Sequence, residues 1–371
     1  MAACGQPPPV VATPLPSPEA GVLDVTILLD LSGDRRPSGT AQRNAIQLWL
    51  DQRQTRGPAP VRTRVKTVDV ESSDAKLLIA LRRATDEERA DAVIIGVPIT
   101  RELGGFVAAT DVAALPVLTT LPLDGAQSGR WLFGLAPTRE ELAKAALDDA
   151  TARGVGRAGV LLFAQDTALA RSEALALMTE ARRRGDQLLT TANLDGADRT
   201  PPDVITRLLT VTSSVHVVGA PRDGAAITRG NIGPLSYLSY VTEPSELGSF
   251  KDVTLAQWPA SRDLVMAAIP PTPTVVARRQ FLQAYTDRHG PPSSAAAAAY
   301  DALTLLELVA ETAGPHDRAR MRDRLEATSV ALIATTYSFS ATKHTGPQLD
   351  DLAYVRWTGS ALALAVDPRL R

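Results

Sequence analysis

Two short stretches of the sequence match motifs that carry chemistry in other proteins. The first, "GVGRAG" at 154–159, satisfies the G-x-G-x-x-G spacing of a dinucleotide-binding turn. In such a turn the glycines follow a strand and open a helix, whose N-terminus meets the pyrophosphate. Here they follow a predicted helix and precede a predicted strand. We therefore interpret Gly154 as a helix stop and predict no cofactor.

The second stretch, "SDAK" at 73–76, has the S-x-x-K spacing of a serine hydrolase nucleophile. Neither an S-D-N nor a K-T-G companion motif is present. Ser73 stands directly before a helical pattern, which predicts an N-cap instead. The four histidines lack zinc-ligand spacing, and His216 lies in an apolar run that predicts a hydrogen-bonded core residue. The sequence thus predicts neither an enzyme nor a metal site.

Composition and charge narrow the class of protein. The chain of 371 residues is longer than a single hydrophobic core usually accommodates, so two lobes are expected. Hydrophobic residues make up 44% and charged residues 22%, as in globular chains. The 39 basic and 41 acidic residues give a net charge of −2 without a basic block, which argues against nucleic acid as a partner. The sequence has no apolar run of about 18 residues, the length that would span a bilayer.

Strand-like and helix-like segments alternate along most of the chain. β-Branched apolar runs predict buried strands, and the segments between them carry apolar residues at helical spacing. A Thr138–Glu141 capping box marks one helix start. Such alternation builds parallel sheets, so α/β lobes are predicted, followed by short antiparallel strands. The predicted strands are 23–33, 61–70, 90–97, 158–164, 215–220 and 235–241, and the predicted helices are 39–53, 72–84, 138–154, 166–185, 274–290, 293–314 and 317–329.

The only cysteine, Cys4, stands in "MAACG" ahead of six prolines between positions 7 and 18. Small residues leading to a cysteine and a following glycine resemble the end of a bacterial lipobox, in which the cysteine is lipidated. We expect a signal peptide to have preceded this site. The proline-rich segment predicts an extended tether, and a free thiol in a tail is the alternative reading.

Several segments, taken in order, resemble the type I periplasmic solute-binding proteins, and in particular the branched-chain amino acid (Leu/Ile/Val) binding family of ABC transporters. The resemblance covers about residues 22–360. The segments are "LSG" at 31–33, "VDVESSD" at 68–74, "ADAVIIG" at 90–96, "ALPVLTT" at 114–120, "WLFGLAPTREE" at 131–141, "FLQAYTDRHG" at 281–290, "AAAAYDAL" at 296–303, "TYSFSATKHTG" at 336–346 and "YVRW" at 354–357.

The resemblance implies two doubly wound Rossmann-like lobes joined by three hinge crossovers. Lobe 1 would comprise 22–134 plus 258–333, lobe 2 would comprise 135–257 plus 334–371, and residues 1–21 would form the lipobox remnant and tether. Such proteins close on a small solute in the cleft and then dock on a membrane ABC permease. The implied location is outside the cytoplasm, with the lipid anchor at Cys4 on the outer face of the cell membrane.

In this family, loops at the carboxyl ends of lobe 1 strands hold a ligand carboxylate, which is where open α/β sheets bind ligands generally. By position, the matching residues are Ser38, Thr100, Arg101, Thr119 and Thr120. Arg101 adds a guanidinium that could make a bidentate contact with a carboxylate. The family's aromatic near Ser38 and its Ser-Thr pair near Thr100 are absent.

Lobe 2 contributes four further candidates by position, namely Arg222, Asp223, Tyr240 and Glu243. An acid among them could pair with a ligand ammonium. The expected ligand is an amino acid-like or carboxylate solute. The alternative is a binding-protein fold that has lost its solute and acts as a cell-surface protein-interaction or sensory module.

Overall fold

The computed structural model describes the chain in segments. They are residues 19–57, 59–103, 105–125, 129–154, 158–165, 167–193, 214–219, 235–249, 253–255, 272–347, 350, 353–357 and 362–364. Cys4, Arg222, Asp223 and the proline-rich segment lie outside them.

A five-stranded parallel sheet forms the first half of the fold. Its spatial order is β2-β1-β3-β4-β5, and helices cover both faces. The central strands are apolar runs buried on both faces, as parallel sheets require. The elements are β1 (Val22–Leu29), α1 (Arg36–Thr55), β2 (Arg62–Asp69), α2 (Asp74–Asp86), β3 (Ala92–Ile95), α3 (Phe106–Ala113), β4 (Val117–Thr119) and β5 (Leu132–Gly134).

A second parallel sheet follows, with four strands in the order β7-β6-β8-β9. One of its two central strands, β8, contains His216, which is fully buried as predicted, and the His216 Nε2 lies 3.3 Å from the Ser214 hydroxyl. The elements are α4 (Arg139–Ala152), β6 (Ala158–Phe163), α5 (Ala168–Arg184), β7 (Gln187–Asn193), β8 (Val215–Val218) and β9 (Leu235–Leu238), and a 3-10 helix (Pro244–Ser249) comes next.

The C-terminal part returns to the first sheet and then adds short antiparallel strands. Tyr337 and Phe339 pack in the same core as Leu303 of α7 and Phe133 of β5. The elements are β10 (Val253–Leu255), α6 (Pro273–His289), α7 (Ser294–Ala313), α8 (Arg318–Glu326), β11 (Ser329–Ala331), β12 (Thr336–Ser338), β13 (Val355–Trp357) and β14 (Leu362–Leu364). Strands β10, β13 and β14 form one antiparallel sheet, and β11 pairs with β12.

Local signals in the sequence set the helix ends. The Ser73 hydroxyl accepts a hydrogen bond from the Lys76 backbone N–H, which confirms the N-cap and accounts for the S-x-x-K match. The predicted capping box between Thr138 and Glu141 is present. Gly154 follows α4 with φ of +71°, a conformation that suits glycine at a helix stop. Helix α1 begins at Arg36, three residues earlier than predicted, because Pro37 fits the first helical turn.

Two parallel sheets with covering helices confirm the predicted doubly wound α/β fold. The lobe boundaries stay a prediction. Tyr337 and Phe339 pack in the core of the first sheet, and Thr345 bridges to Gly134 at the edge of that sheet. None of the helices in the described ranges is long and apolar enough to cross a bilayer.

Candidate functional site

The carboxyl edge of the first sheet gathers most of the residues predicted for lobe 1. Ser38, Thr100, Thr119 and Thr120 are all buried there. Helix α1 approaches this edge closely, since a Cβ on Gly39 would lie 1.9 Å from the Asp30 carbonyl oxygen. That contact brings Ser38 up against the end of β1.

A hydrogen-bonded chain crosses this edge. The Thr120 hydroxyl donates to Gln42 Oε1 over 2.6 Å, and Gln42 Nε2 donates to the Gly96 carbonyl oxygen over 2.8 Å. The same Nε2 lies 3.4 Å from Ser38 Oγ. Gln42 thus engages groups at the ends of β3 and β4. The helical pattern gave no sign that this buried amide would do so.

Arg101 contacts the protein's own acids. Its Nε lies 3.4 Å from Asp124 Oδ2, and its Nη2 lies 3.2 Å from Glu140 Oε1. Asp124 also binds the buried Arg139, whose Nη1 donates to it and to the Ile99 carbonyl oxygen, each over 3.0 Å. The predicted role of Arg101 toward a solute carboxylate stays a prediction, and its guanidinium already has acidic neighbours.

Glu243 lies directly before the 3-10 helix Pro244–Ser249 and is 3% exposed. Burial raises its pKa to about 8, with a further contribution from Glu246, while hydrogen bonds from Ser293 and Ser38 act in the opposite direction. Its Oε1 has no hydrogen-bond partner among the residues that the structure describes. The structure therefore brings two predicted site residues, Ser38 and Glu243, into direct contact.

Tyr240, the other described candidate from the predicted second lobe, is buried two residues after the end of β9. Burial raises the pKa of its hydroxyl, and a hydrogen bond with Ser294 acts against that shift. The two remaining candidates, Arg222 and Asp223, fall outside the described ranges.

A cavity of about 950 Å³ opens beside Glu243. Its walls come from both halves of the fold: the start of α1, the end of α6, the 243–246 segment and Trp357 of β13. Trp357 is buried, and within the described part of the chain its indole Nε1 has no hydrogen-bond partner. Among the described residues, the cavity wall thus includes one buried acceptor, Glu243 Oε1, and one buried donor, Trp357 Nε1, without a partner.

The cavity contains residues that the sequence reasoning did not select. Tyr285 and Trp357 both line it, and both occur in segments that carried the family resemblance, "FLQAYTDRHG" and "YVRW". Aromatic residues in such segments normally indicate core packing. Only the tertiary structure brings positions 243, 285 and 357 to one cavity. In the described ranges no group of three or more histidine, cysteine or acidic side chains is placed to hold a metal ion.

The sequence model of the periplasmic binding protein family matches residues 23–208, half of the chain. The chain therefore belongs to the periplasmic binding protein family, whose members bind solutes outside the cytoplasm, and the prediction of a non-enzymatic protein is confirmed. No curated protein sequence matches the chain.

Solved structures agree with this assignment at the level of the fold. An extracellular ligand-binding receptor from Rhodopseudomonas palustris HaA2 shares 19% identity with a TM-score of 0.73, covering 92% of this chain and 99% of that one. A leucine binding protein LivK from Thermotoga maritima shares 14% identity (TM-score 0.71; 93% and 98%). The branched-chain amino acid transporter substrate binding protein LivJ from Streptococcus pneumoniae, solved with isoleucine, shares 17% identity (TM-score 0.70; 93% and 99%).

Proposed function

We propose that this protein is the solute-binding component of an ABC importer and that it takes a small amino acid-like solute into the cavity between its lobes by hinge closure. One observation carries the proposal: Glu243 Oε1 and Trp357 Nε1 are buried, unpaired in the described structure and part of one cavity. A buried polar atom without a partner costs roughly 1–3 kcal/mol. A solute that donates to one and accepts from the other removes both costs.

The family supports the type of ligand. LivJ, which shares this fold, was solved with isoleucine, and LivK is described as a leucine binding protein. A branched-chain amino acid occupies far less than 950 Å³, so the cavity has room for a larger solute or for water beside a small one. A carboxylate solute is the second chemical class to be screened.

The importer and the membrane anchor are further parts of the proposal. A binding protein that delivers solute to a permease works best when it is kept close to the membrane, and Cys4 with its small neighbours fits a lipidation site. Expression of the full-length gene with Cys4→Ser tests the anchor. We expect the wild-type protein in the membrane fraction and the variant in the supernatant, whereas equal release of both would contradict anchorage at Cys4.

A thermal-shift screen of amino acids, amines, carboxylates and amides tests solute binding. A solute at 100 times its dissociation constant adds about 2.7 kcal/mol to the free energy of unfolding. Glu243→Gln and Trp357→Phe should weaken the binding of any solute that is found. Trp131→Phe is the matched control, because Trp131 is buried outside the cavity beside Arg322. If the protein is folded and no compound in the library raises its melting temperature, the proposal is contradicted.

One observation favours a second candidate, a surface protein-interaction module without a solute. The loops that follow β3 and β4 are tied to α4 by the protein's own side chains, through Arg101, Asp124 and Arg139. Those contacts engage Arg101, which the sequence analysis assigned to a solute carboxylate. This candidate would be favoured if no compound in the thermal-shift screen binds and a crystal structure shows the cavity empty.

A further inference from the structure

The histidine in the connection between α7 and α8 contacts two distant segments of the chain. His316 Nδ1 lies 2.9 Å from Asp91 Oδ1, and its Nε2 lies 3.0 Å from the carbonyl oxygen of Glu19. Asp91 directly precedes β3, and Glu19 lies three residues before β1. One imidazole thus joins two segments that are 225 and 297 residues away from it in the sequence.

Both contacts require a proton on the ring nitrogen. A carbonyl oxygen only accepts hydrogen bonds, so Nε2 donates to Glu19. Asp91 is 2% exposed, and its Oδ2 accepts a hydrogen bond from the Asp24 backbone N–H over 2.7 Å, as a carboxylate does. A carboxylate oxygen also only accepts, so Nδ1 donates to Asp91. With both ring nitrogens donating, the geometry is that of an imidazolium.

The backbone around this histidine is held by several contacts. His316 has a φ of +72°, in the left-handed region that residues other than glycine rarely adopt. Such a conformation persists where the surrounding contacts determine it. The Asp317 side chain caps α8, and the Arg318 guanidinium donates two hydrogen bonds to the Ala90 carbonyl oxygen. These contacts keep the imidazole directed at Asp91.

Residues 19–21 lead into β1 and lie beside the edge strand β2. The Glu19 carboxylate pairs with Arg62 and Arg64, but all three side chains are more than half exposed. Exposed ion pairs contribute little to stability, because solvent and salt screen them. The His316 side chain is only 25% exposed, so its contact with this segment is better shielded from water.

From these contacts, we propose that His316 is a pH-sensitive clamp, whose imidazolium holds residues 19–21 against the start of β3 and releases them when it loses its proton. A neutral imidazole has one N–H and keeps at most one of the two contacts. In the anchored protein proposed above, residues 19–21 are where the tether joins the fold, so the clamp sets how the fold is held relative to the membrane. The clamp depends neither on solute binding nor on the anchor, and its tests can fail while both of those proposals stand.

The surrounding groups set the pH at which the clamp opens. Desolvation acts to lower the pKa of His316, but the hydrogen bonds to Glu19 and Asp91, followed by the charges of Asp91 and Asp24, outweigh it and raise the pKa above its usual 6.5. A pKa that is raised in the folded state means that the clamp stabilises the fold fully below pH 6.5. This stabilisation is lost as the pH increases through the pKa of the folded protein.

The anionic partner sets the other end of the pH range. Burial raises the pKa of Asp91, while hydrogen bonds from the Asp24 backbone and from His316 act against that shift. The clamp is therefore closed between the pKa of Asp91 and that of His316. The other described charged groups around the imidazole are Glu19 and Asp24, which pair with Arg64, together with Arg62, Asp317 and Arg318. Among all these types of side chain, histidine has the ordinary pKa nearest to neutrality.

NMR titration of the histidines tests the charge on the clamp. The chain has four histidines, and the imidazole signal that is missing in His316→Asn belongs to His316. We expect His316 of the wild-type protein to titrate above pH 6.5. Titration at or below pH 6.5 would overturn the proposal, and this measurement needs the variant only for assignment.

Two further variants identify the partner that holds the proton. Asp91→Asn should lower the pKa of His316, because the imidazolium loses its buried anionic partner. Glu19→Gln is the matched control, since it removes a nearby charge but keeps the carbonyl oxygen that His316 contacts. The pKa of His316 in Glu19→Gln should stay close to that of the wild-type protein. A larger change in Glu19→Gln than in Asp91→Asn would overturn the assignment.

Hydrogen exchange measures the release of residues 19–21. The Val22 N–H donates to the Glu19 carbonyl oxygen over 3.1 Å, and the Arg62 N–H donates to the Gly21 carbonyl oxygen over 2.9 Å. We expect the protection of these two amides, corrected for the intrinsic pH dependence of exchange, to fall about three- to tenfold as the pH increases through the pKa of His316. Equal protection below and above that pKa would overturn the clamp.

His344→Asn is the matched control for the exchange experiment. His344 also has its ring nitrogens near acceptors, but these are the Gly129 carbonyl oxygen at 2.8 Å, before β5, and Glu326 Oε1 at 3.2 Å, on α8. His316→Asn should lower the protection of Val22 at both pH values, and His344→Asn should not. An equal loss in the two variants would contradict a specific clamp. Circular dichroism establishes that each variant is folded, and if His316→Asn is not, the wild-type exchange profile decides.

Discussion

Glu102 and Arg171 form a two-point ion pair, with Nε to Oε1 at 2.7 Å and Nη2 to Oε2 at 2.8 Å. Glu102 lies in the loop after β3, and Arg171 lies in the first turn of α5. The hydrogen bond from Arg171 lowers the pKa of Glu102. Because the two residues belong to different predicted lobes, the pair connects the lobes in the form of the protein described here.

Removing this pair should weaken solute binding modestly. In Arg171→Gln the closed form loses a favourable contact, and apparent affinity falls with the closed fraction. Both side chains are about half exposed, so solvent and salt screen the pair and the expected loss is only about two- to fivefold. Calorimetry at low and high salt measures it, and the difference from wild type should shrink as salt is added.

Arg183→Gln is the matched control for that experiment. Arg183 makes a similar two-point contact with Glu180, but both residues are on α5. Its loss should not change solute affinity. An equal effect of the two variants would show that the Glu102–Arg171 pair has no special role in closure.

Gly39→Ala should destabilise the protein. Alanine in a helix is normally favoured over glycine by about 1 kcal/mol. Here the added Cβ would lie 1.9 Å from a backbone oxygen of Asp30, which cannot move aside as a side chain could. We expect a net loss of about 2–3 kcal/mol in the free energy of unfolding, and weaker solute binding because Ser38 is displaced from Glu243.

Gly125→Ala provides the comparison. The nearest atom to its added Cβ is Glu140 Oε2 at 3.2 Å, the end of a flexible side chain. Urea unfolding should show a change within about 0.5 kcal/mol. If Gly39→Ala were as stable as Gly125→Ala, the close approach of α1 to the end of β1 would be contradicted.

His216 should make the protein sensitive to mild acid. Burial, followed by the charge of Arg153, lowers the pKa of its imidazole from 6.5 to about 4. Between these values the unfolded chain binds a proton that the folded chain does not, so stability falls as the pH decreases from 6.5 to 4. The loss attributable to His216 is of the order of 3 kcal/mol.

The test compares His216→Leu with the wild-type protein at several pH values. Burial raises the pKa of Asp301 to about 7, and this shift lowers stability as the pH increases from about 4 to 7, the opposite direction. Subtracting the two profiles removes that contribution, because Asp301 is present in both proteins. Parallel profiles between pH 4 and 6.5 would show that His216 is not held neutral.

The sequence predicted the fold better than the site, for physical reasons. The spacing of apolar residues in strands and helices, and helix caps such as Ser73 and Thr138, depend only on residues close in the sequence. They can therefore be recognised from the sequence alone. The pairing of Ser38 with Glu243 could be anticipated only because both follow strands whose ends meet at one cleft. Trp357 is more than 100 residues away from Glu243 along the chain, and no local pattern links them.

Gln42 shows a different limit. Its position in α1 matched a helical pattern in which Ala41, Ala45 and Leu48 defined the inward face. The structure buries Gln42 completely, and its amide binds Thr120 and Gly96. A buried amide is recognisable only from its partners, which lie at the ends of β3 and β4. The sequence therefore assigned the Thr120 hydroxyl to a solute without revealing this competing partner.

Closure of two lobes over a solute is the central claim, and small-angle X-ray scattering tests it most directly. The measurement compares the protein alone with the protein saturated by the tightest-binding solute from the screen. A decrease in the radius of gyration on binding is the predicted result, and Glu243→Gln should show none at the same solute concentration. An identical radius with and without bound solute would contradict hinge closure.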